Sequence, residues 1–380
     1  RLLPSLHAVI KDQYAYMRGS STTIALVRMI QTWLTALDSK KPTVIRALFA
    51  DMSKAFDRVD HAILLQHVID IQASPRMVTW IHSYLSGRRQ RVVGRGVVSS
   101  WKEPTSGVSQ GDVLSPYLFL LFMSSRTPLR LDTMNVGYAD DLSMSRTLSV
   151  LLANEDKTLE EETSHLDTWA NSNNMLLNGK KSQLLQICLC RSVPSPPRLT
   201  LGGVCVPWVD SAKGLGFIID KGLTLQEQVT STVTKASRRL HYLRLLSKQG
   251  TSVSDLVLVY LSLVRPVLEY GHVLLVGCSK EQEHQLERVQ RRALRIISRA
   301  GRRDVPELPT LKSRREDAAV KLFKQMLKDD HPLHDLVPPC RSAATGRSLR
   351  NKHNISIPPA RTKRLQDSFL HKAISLYNNE

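Results

Sequence analysis

The sequence predicts an α+β fold: a small antiparallel sheet with packed helices, followed by a helical region. Three observations carry this expectation. Residues 43–50 (TVIRALFA) are β-rich and mostly apolar, as in a buried strand. Residues 135–145 (NVGYADDLSMS) place two short strand-like arms around an acidic pair, as in a hairpin. Residues 225–300 are dominated by helical periodicity.

The elements follow in chain order. In residues 22–38, Ala25, Leu26, Met29, Ile30, Trp33 and Leu34 recur at helical spacing. The strand at 43–50 runs straight into Asp51. Asp60 has the character of an N-cap for a helix carrying Ile63, Leu64, Val68 and Ile69. Residues 75–93 read as a helix, a break at Gly87 and a basic strand. Residues 113–123 form an apolar segment interrupted by Pro116. An amphipathic helix is expected over 156–176, ending near Asn178-Gly179, with a strand from Ser182 to Leu189. Cys188 and Cys190 read as alternate residues of that strand. The Pro/Ser stretch 191–200 is a candidate domain edge, and Gly214 to Asp220 reads as a short strand. The last eighty residues are rich in Pro, Arg and Ser and are expected to be partly disordered.

Composition narrows the class. A chain of 380 residues that is 42% hydrophobic can build more than one core. Its 53 Lys+Arg against 34 Asp+Glu leave a net charge of +19, which favours a polyanionic partner. Charge alone does not separate nucleic acid from a membrane surface. Five scattered cysteines argue against a secreted disulfide framework, and no zinc knuckle is visible. The strongest apolar run, Tyr117 to Met123, is too short to span a bilayer, and the residues from Arg1 do not read as a signal peptide. An intracellular protein with no membrane partner is expected. The missing initial Met suggests a fragment.

Asp51 ends an apolar strand, and Asp140 and Asp141 sit at a hairpin tip. Adjacent carboxylates repel unless a cation neutralises them. Carboxylates at neighbouring strand ends can hold hard divalent ions, and a pair of such ions can stabilise both oxygens of a phosphoryl displacement. An isolated Asp-Asp pair is more often a solvated turn, so the neighbouring residues decide between the readings.

Those neighbours carry a resemblance. Phe49-Ala-Asp51-Met-Ser-Lys-Ala-Phe56-Asp57 resembles motif A of reverse transcriptases, in the form used by non-LTR (LINE-type) retrotransposons. Residues 106–116 (SGVSQGDVLSP) resemble motif B, Tyr138-Ala-Asp140-Asp141 matches motif C, and Leu177-Asn178-Gly-Lys-Lys181-Ser182 resembles motif D. Residues 213–220 (KGLGFIID) resemble motif E, and residues 14–22 resemble the segment before motif A. Residues 260–270 and 286–295 are similar to thumb segments of the jockey-like branch.

The resemblance implies a right-hand polymerase palm followed by a helical thumb. The implied layout is a palm with a remnant of fingers over 1–190, a connection with the motif E strand over 191–224, a thumb over 225–300 and a basic extension over 301–380. It implies RNA-directed DNA synthesis with two Mg²⁺ ions (Mn²⁺ as a substitute), an RNA template, a DNA primer and dNTPs, in the nucleus and cytoplasm. Asp51 and Asp140 would hold the metals with help from Asp141 and the Met52 carbonyl. Phe56 stands at the sugar-gate position, and Gln110, Gly111 and Tyr138 would contact nucleotide, template or primer end. Lys181 matches a proton donor to pyrophosphate, although a solvated Lys beside a turn explains its presence equally well. Arg88, Arg89 and Arg91 (with Arg95) form one basic patch, and Arg288, Arg292, Arg295 and Arg299 form a stripe offset from an apolar one of Leu286, Val289, Ala293 and Ile296. Both basic groups are expected to contact phosphates.

Several features depart from the family pattern: Ser109 replaces the usual Pro before Gln110, residues 124–127 (SSRT) replace the usual Asn-Asp-Leu-Pro, the link from motif B to Tyr138-Ala-Asp140-Asp141 is short, and the sequence as given from Arg1 is expected to lack the family's upstream fingers block and endonuclease. A catalytically inactive, nucleic-acid-binding remnant of a mobile element is the alternative reading.

Overall fold

A computed structural model describes residues 12–301, 307–341 and 354–379. The expectations for Arg1 and for residues 302–306 and 342–353, including their disorder, lie outside the described residues. The chain divides into two compact units: residues up to Ala25 with Pro42–Leu215, and Leu26–Lys41 with Gly216 onward.

The first unit is built on a five-stranded sheet. Its strands are β1 (Thr43–Ala50), β4 (Met134–Tyr138), β5 (Asp141–Ser149), β6 (Gln183–Cys188) and β9 (Trp208–Val209), in the order β4-β5-β1-β6-β9. Every pairing is antiparallel except that of β6 with β9. The central strand β1 is buried along its whole length, which explains its nearly unbroken apolar run. Its one charge, Arg46, is 1% exposed, and it is tolerated because Gln186, the Ala153 carbonyl and the Ser195 carbonyl all accept from its guanidinium.

Among the described residues, four α-helices lie wholly within this unit. They are α2 (His61–Asp70), α3 (Pro75–Leu85), α4 (Ser115–Ser124) and α5 (Thr158–Ser172), numbered after α1 (Thr22–Leu37). Leu64, Val68, Phe119, Phe122 and Leu166 from these helices share one core with Leu48, Met144 and Leu184 of the sheet. Asp60 caps α2 by accepting from Ala62 and Ile63. Ile69, expected on the apolar face, is 49% exposed. Pro116 begins α4 rather than interrupting it, because a first-turn position needs no amide hydrogen. The basic segment forms only a short hairpin, β2 (Val93–Gly94) with β3 (Val97–Val98), exposed throughout.

β6 stops at Cys188, so Cys190 lies outside the strand. The Pro/Ser stretch 191–200 is a loop inside the first unit, because β9 beyond it returns to pair with β6. The short hairpin of β7 (Thr200–Leu201) with β8 (Val204–Cys205) and the strand β10 (Ser211–Gly214) complete this unit.

The second unit starts in sequence with residues of α1 and resumes at β11 (Phe217–Asp220). The Asp220 carboxylate accepts from the amides of Gly222, Thr224 and Leu225, which sets the turn into the long helix α6 (Gln226–Lys248). Next come α7 (Val253–Val259), a π-helical turn at Tyr260–Val264, α8 (Arg265–Leu268) and α9 (Lys280–Gly301). Leu286, Val289, Ala293 and Ile297 form the buried stripe of α9. The sequence pattern suggests Ile296 for the last place; the observed steps of three and four residues keep Ile297 on the inward face instead. Arg288, Arg292, Arg295 and Arg299 are all exposed. Beyond residue 306, α10 (Leu311–Met326), α11 (Lys363–Gln366) and α12 (Phe369–Tyr377) bury Phe323, Met326, Phe369 and Ile374. These three helices are packed parts of the last eighty residues. Among the described residues, no helix is long and apolar enough to cross a membrane.

Candidate active site

Asp51 directly follows β1, and the segment 176–182 grips its backbone. Ser182 Oγ accepts the Asp51 amide hydrogen at 3.0 Å and donates to the Asn178 carbonyl at 2.8 Å. The Asn178 amide donates to the Asp51 carbonyl at 2.9 Å, and the Ser53 amide donates to Leu176 at 2.8 Å. These last two bonds flank an antiparallel bridge between Met52 and Leu177, which holds Met52 at 5% exposure. Motif D thus supplies the frame for motif A.

The other acids arrive by strand register. Ala50 pairs with Leu142, so Asp51 and Asp141 are the next residues at the same end of the β1–β5 pair. Tyr138 pairs with Asp141 across the hairpin, leaving Ala139 and Asp140 as a two-residue loop. Ala139 takes φ 56°, which costs a residue with a Cβ roughly 1–2 kcal/mol. Gln13 holds this turn from outside: its Oε1 accepts the Ala139 amide hydrogen at 2.9 Å and its Nε2 donates to the Ala139 carbonyl at 3.3 Å. Sequence reasoning missed Gln13, which lies one residue before the segment that carries the resemblance.

Asp141 is open to solvent, yet the protein packed about its carboxyl raises its pKa, and the negative charges of Asp140 and Asp51 raise it further. Lys213 opposes the shift. Among the described residues, no three His, Cys, Asp or Glu side chains are grouped closely enough to hold a metal ion by themselves. The donor set is still of the kind a hard divalent cation takes, since such an ion can use one or two carboxylates and complete its shell with water and substrate phosphates. The mutual repulsion recorded at Asp141 is the feature a divalent cation would relieve.

Two depressions hold several of the other candidates, and Tyr138 and Met52 line neither. Phe56, Gln110, Gly111 and Asp140, with Tyr16 and Lys54, line a cavity of about 360 Å³. Asp51, Asp141, Lys181 and Lys213 line a smaller one of about 80 Å³. Lys54, Tyr16 and Lys213 were not singled out from the sequence, although all three lie within or beside its motifs. Phe56 stacks on Phe119 with ring centroids 4.1 Å apart, so one face is fixed by the core while the residue also borders the cavity. Gln110 donates to Asp57 Oδ1 at 3.1 Å, tying motif B to motif A. Gly111 takes φ 95°, a conformation that favours glycine.

The basic residues 88–95 divide by role. Arg89 pairs with Glu103, and Arg91 stacks over the Trp101 ring at 4.6 Å; both are exposed. Arg88 instead turns inward, with its guanidinium bonded to the Gly107 carbonyl and Ser109 Oγ, each at 2.7 Å. Two of its donors are thus directed to the protein's own motif B loop, and Nε donates to the Leu85 carbonyl.

A family model for reverse transcriptase (RNA-dependent DNA polymerase) matches residues 1–219. The chain belongs to the reverse transcriptase family. Its similarity to curated proteins runs further along the sequence. It is 27% identical over 362 residues to the probable RNA-directed DNA polymerase from transposon X-element of Drosophila melanogaster, covering 94% of this chain and 38% of that protein. It is 26% identical over 341 residues to the RNA-directed DNA polymerase from mobile element jockey of Drosophila funebris, covering 86% of this chain and 36% of that protein. The chain therefore spans well under half the length of these relatives. Among solved structures, apo telomerase from Candida Tropicalis matches with a TM-score of 0.46 and 14% identity, covering 85% of this chain and 52% of that one.

Proposed function

We propose that this chain is the polymerase portion of a reverse transcriptase from a non-LTR retrotransposon, extending a DNA primer on an RNA template with dNTPs. The supporting observation is the convergence of Phe56, Gln110, Gly111 and Asp140 on one cavity, from three separate stretches of sequence that also carry Asp51 and Asp141. In this reading the first unit supplies the palm and the helices of residues 225–300 act as a thumb.

Asp51, Asp140 and Asp141 would hold two Mg²⁺ ions, with the Met52 carbonyl as a further oxygen. Bound there, the ions would make the primer 3′-hydroxyl a better nucleophile and neutralise the leaving pyrophosphate. Phe56, fixed by its stack on Phe119, limits what fits at the sugar 2′ position. Gln110 and Gly111 orient the base pair being formed, and Tyr138 packs under the primer end. Lys181, which lines the same depression as Asp51 and Asp141, would supply a proton to the departing pyrophosphate. Arg89 and Arg91, and the four exposed arginines of α9, contact phosphates without reading sequence.

The test is Mg²⁺-dependent primer extension on an RNA template, with Asp140→Asn as the control. The variant should lose extension and keep primer–template binding within about tenfold, since phosphate contacts dominate affinity. Binding without metal-dependent extension by the parent chain would instead establish a non-catalytic nucleic-acid-binding remnant.

A further inference from the structure

Between motifs A and B the chain makes a detour through α3 and the β2–β3 hairpin, and it returns as the loop 106–115. The amide of Gly107 donates to the Val59 carbonyl at 2.8 Å, and that of Val108 donates to Phe56 at 2.9 Å. Gly107 sits so close to the Asp57 backbone that a Cβ there would lie 2.8 Å from Asp57 Cα. The root of the loop is therefore fixed to motif A. Gln110 and Gly111, which follow directly, are exposed.

The end of α3 meets this loop at four points. Arg88 Nη2 donates to the Gly107 carbonyl and Nη1 to Ser109 Oγ, both at 2.7 Å, while Nε turns back to the Leu85 carbonyl at 3.1 Å. His61 Nε2 shares the Gly107 carbonyl at 2.8 Å. Tyr84 bonds to the Asp112 carboxylate and lies 3.1 Å from Ser115 Oγ. Asp112 in turn accepts from the Ser115 amide at 2.7 Å, holding the first turn of α4. Gln110 and Gly111 are thus suspended between two clamps, Arg88 on one side and Tyr84–Asp112 on the other.

We infer that Arg88 is a positioning residue of the nucleotide site: it braces the Gln110–Gly111 loop through Ser109 and the Gly107 carbonyl. An arginine fork suits this task because one rigid plane reaches two acceptors at once. The Ser109 contact belongs to this chain's own sequence. The Ser109 hydroxyl, bonded to Arg88, supplies a side-chain restraint directly beside Gln110. The kinetic consequence rests on the nucleotidyl-transfer reading above; the brace itself rests on the geometry alone.

The test uses Arg88→Ala, Arg88→Lys and Ser109→Ala, and the double variant Arg88→Ala/Ser109→Ala, in the full 380-residue chain. Hydrogen exchange is read at the amides of Gly107, Val108 and Gln110, with β1 amides as the control for global folding. Removing the brace should lower protection of the loop amides about tenfold while β1 is unchanged, since local opening is governed by local contacts. Arg88→Lys, which keeps the charge and loses the fork, should lie between parent and Arg88→Ala. The double variant should be no worse than Arg88→Ala, because both changes cut the same link. In primer extension, kcat/KM for dNTP should fall about 10- to 100-fold, as expected for a misplaced reactant, with primer–template affinity and its salt dependence preserved.

Unchanged loop protection in Arg88→Ala would overturn the inference, whatever the activity. So would a salt slope that drops as it does for Arg91→Ala while the loop stays protected, which would make Arg88 a phosphate contact. If the parent chain extends no primer, the nucleotidyl-transfer reading fails, and the exchange measurement still decides whether the brace exists.

Discussion

Ser182 is the residue whose removal should most directly loosen Asp51 without touching its carboxylate. Its side chain is fully buried, accepts the Asp51 amide hydrogen at 3.0 Å and donates to the Asn178 carbonyl at 2.8 Å. Ser182→Ala removes both bonds at once and adds no bulk. At about 0.5–1.5 kcal/mol for each net hydrogen bond, the expected loss is about 1–3 kcal/mol. For a unit of this size that lowers the melting temperature by about 2–4 °C per kcal/mol. The functional consequence is separate. With its amide released, Asp51 can drift from the register that sets it beside Asp141, and a shift near 1 Å can cost about 100-fold in rate. The assay is therefore double: chemical denaturation for stability, and primer extension across a Mg²⁺ titration at a temperature where the variant is folded. The Mg²⁺ concentration for half-maximal extension should rise and the saturating rate should fall, while Ser182→Thr, which keeps the hydroxyl, recovers most of both. If Ser182→Ala matches the parent in midpoint and in metal titration, the frame described for Asp51 is incidental.

Other perturbations separate the remaining roles. Phe56→Ala should raise ribonucleotide relative to deoxyribonucleotide incorporation by an amount equivalent to about 1–3 kcal/mol; an unaltered ratio would return Phe56 to the core through its stack on Phe119. Neutralising Arg288, Arg292, Arg295 and Arg299 together should weaken binding of any sequence and flatten the log–log salt dependence by about 0.7–0.9 for each phosphate no longer neutralised; an unchanged slope would leave them a solvated face. In the second unit, burial alone would raise the Asp38 carboxyl. The amides of Arg361 and Thr362 and the Thr362 hydroxyl, which it accepts at 2.9, 2.7 and 2.7 Å, outweigh that and hold its pKa below the ordinary carboxylate value. A depressed folded pKa stabilises above the unfolded value, near 3.9, and is lost as pH falls through the folded one. Asp38→Asn should therefore be less stable than the parent at neutral pH, with the gap closing below about pH 4 in denaturation curves. A gap independent of pH would show that the carboxylate charge is not what holds residues 361–362.

Much of this protein was determined by sequence alone. The apolar run at 43–50, the acidic hairpin and the N-cap at Asp60 all formed where local pattern placed them, because strand alternation, turn chemistry and capping act between near neighbours in the chain. The positions of the three acids were legible for the same reason, each at the end of an element whose limits the pattern marks, while their reading as one site came from the resemblance of the motifs around them. Tertiary structure decided how those positions are held. Arg88 read as a surface cation, and only the return of the loop at Gly107 and Ser109 turned it inward. Gln13 is 126 residues from the Ala139 it clamps, and Ser182 is 131 residues from Asp51. Neither contact is implied by any local period. Hydrogen-bond partners across such distances are chosen by which backbone groups the packed sheet leaves unpaired, and that is settled only when β1, β5 and β6 have come together.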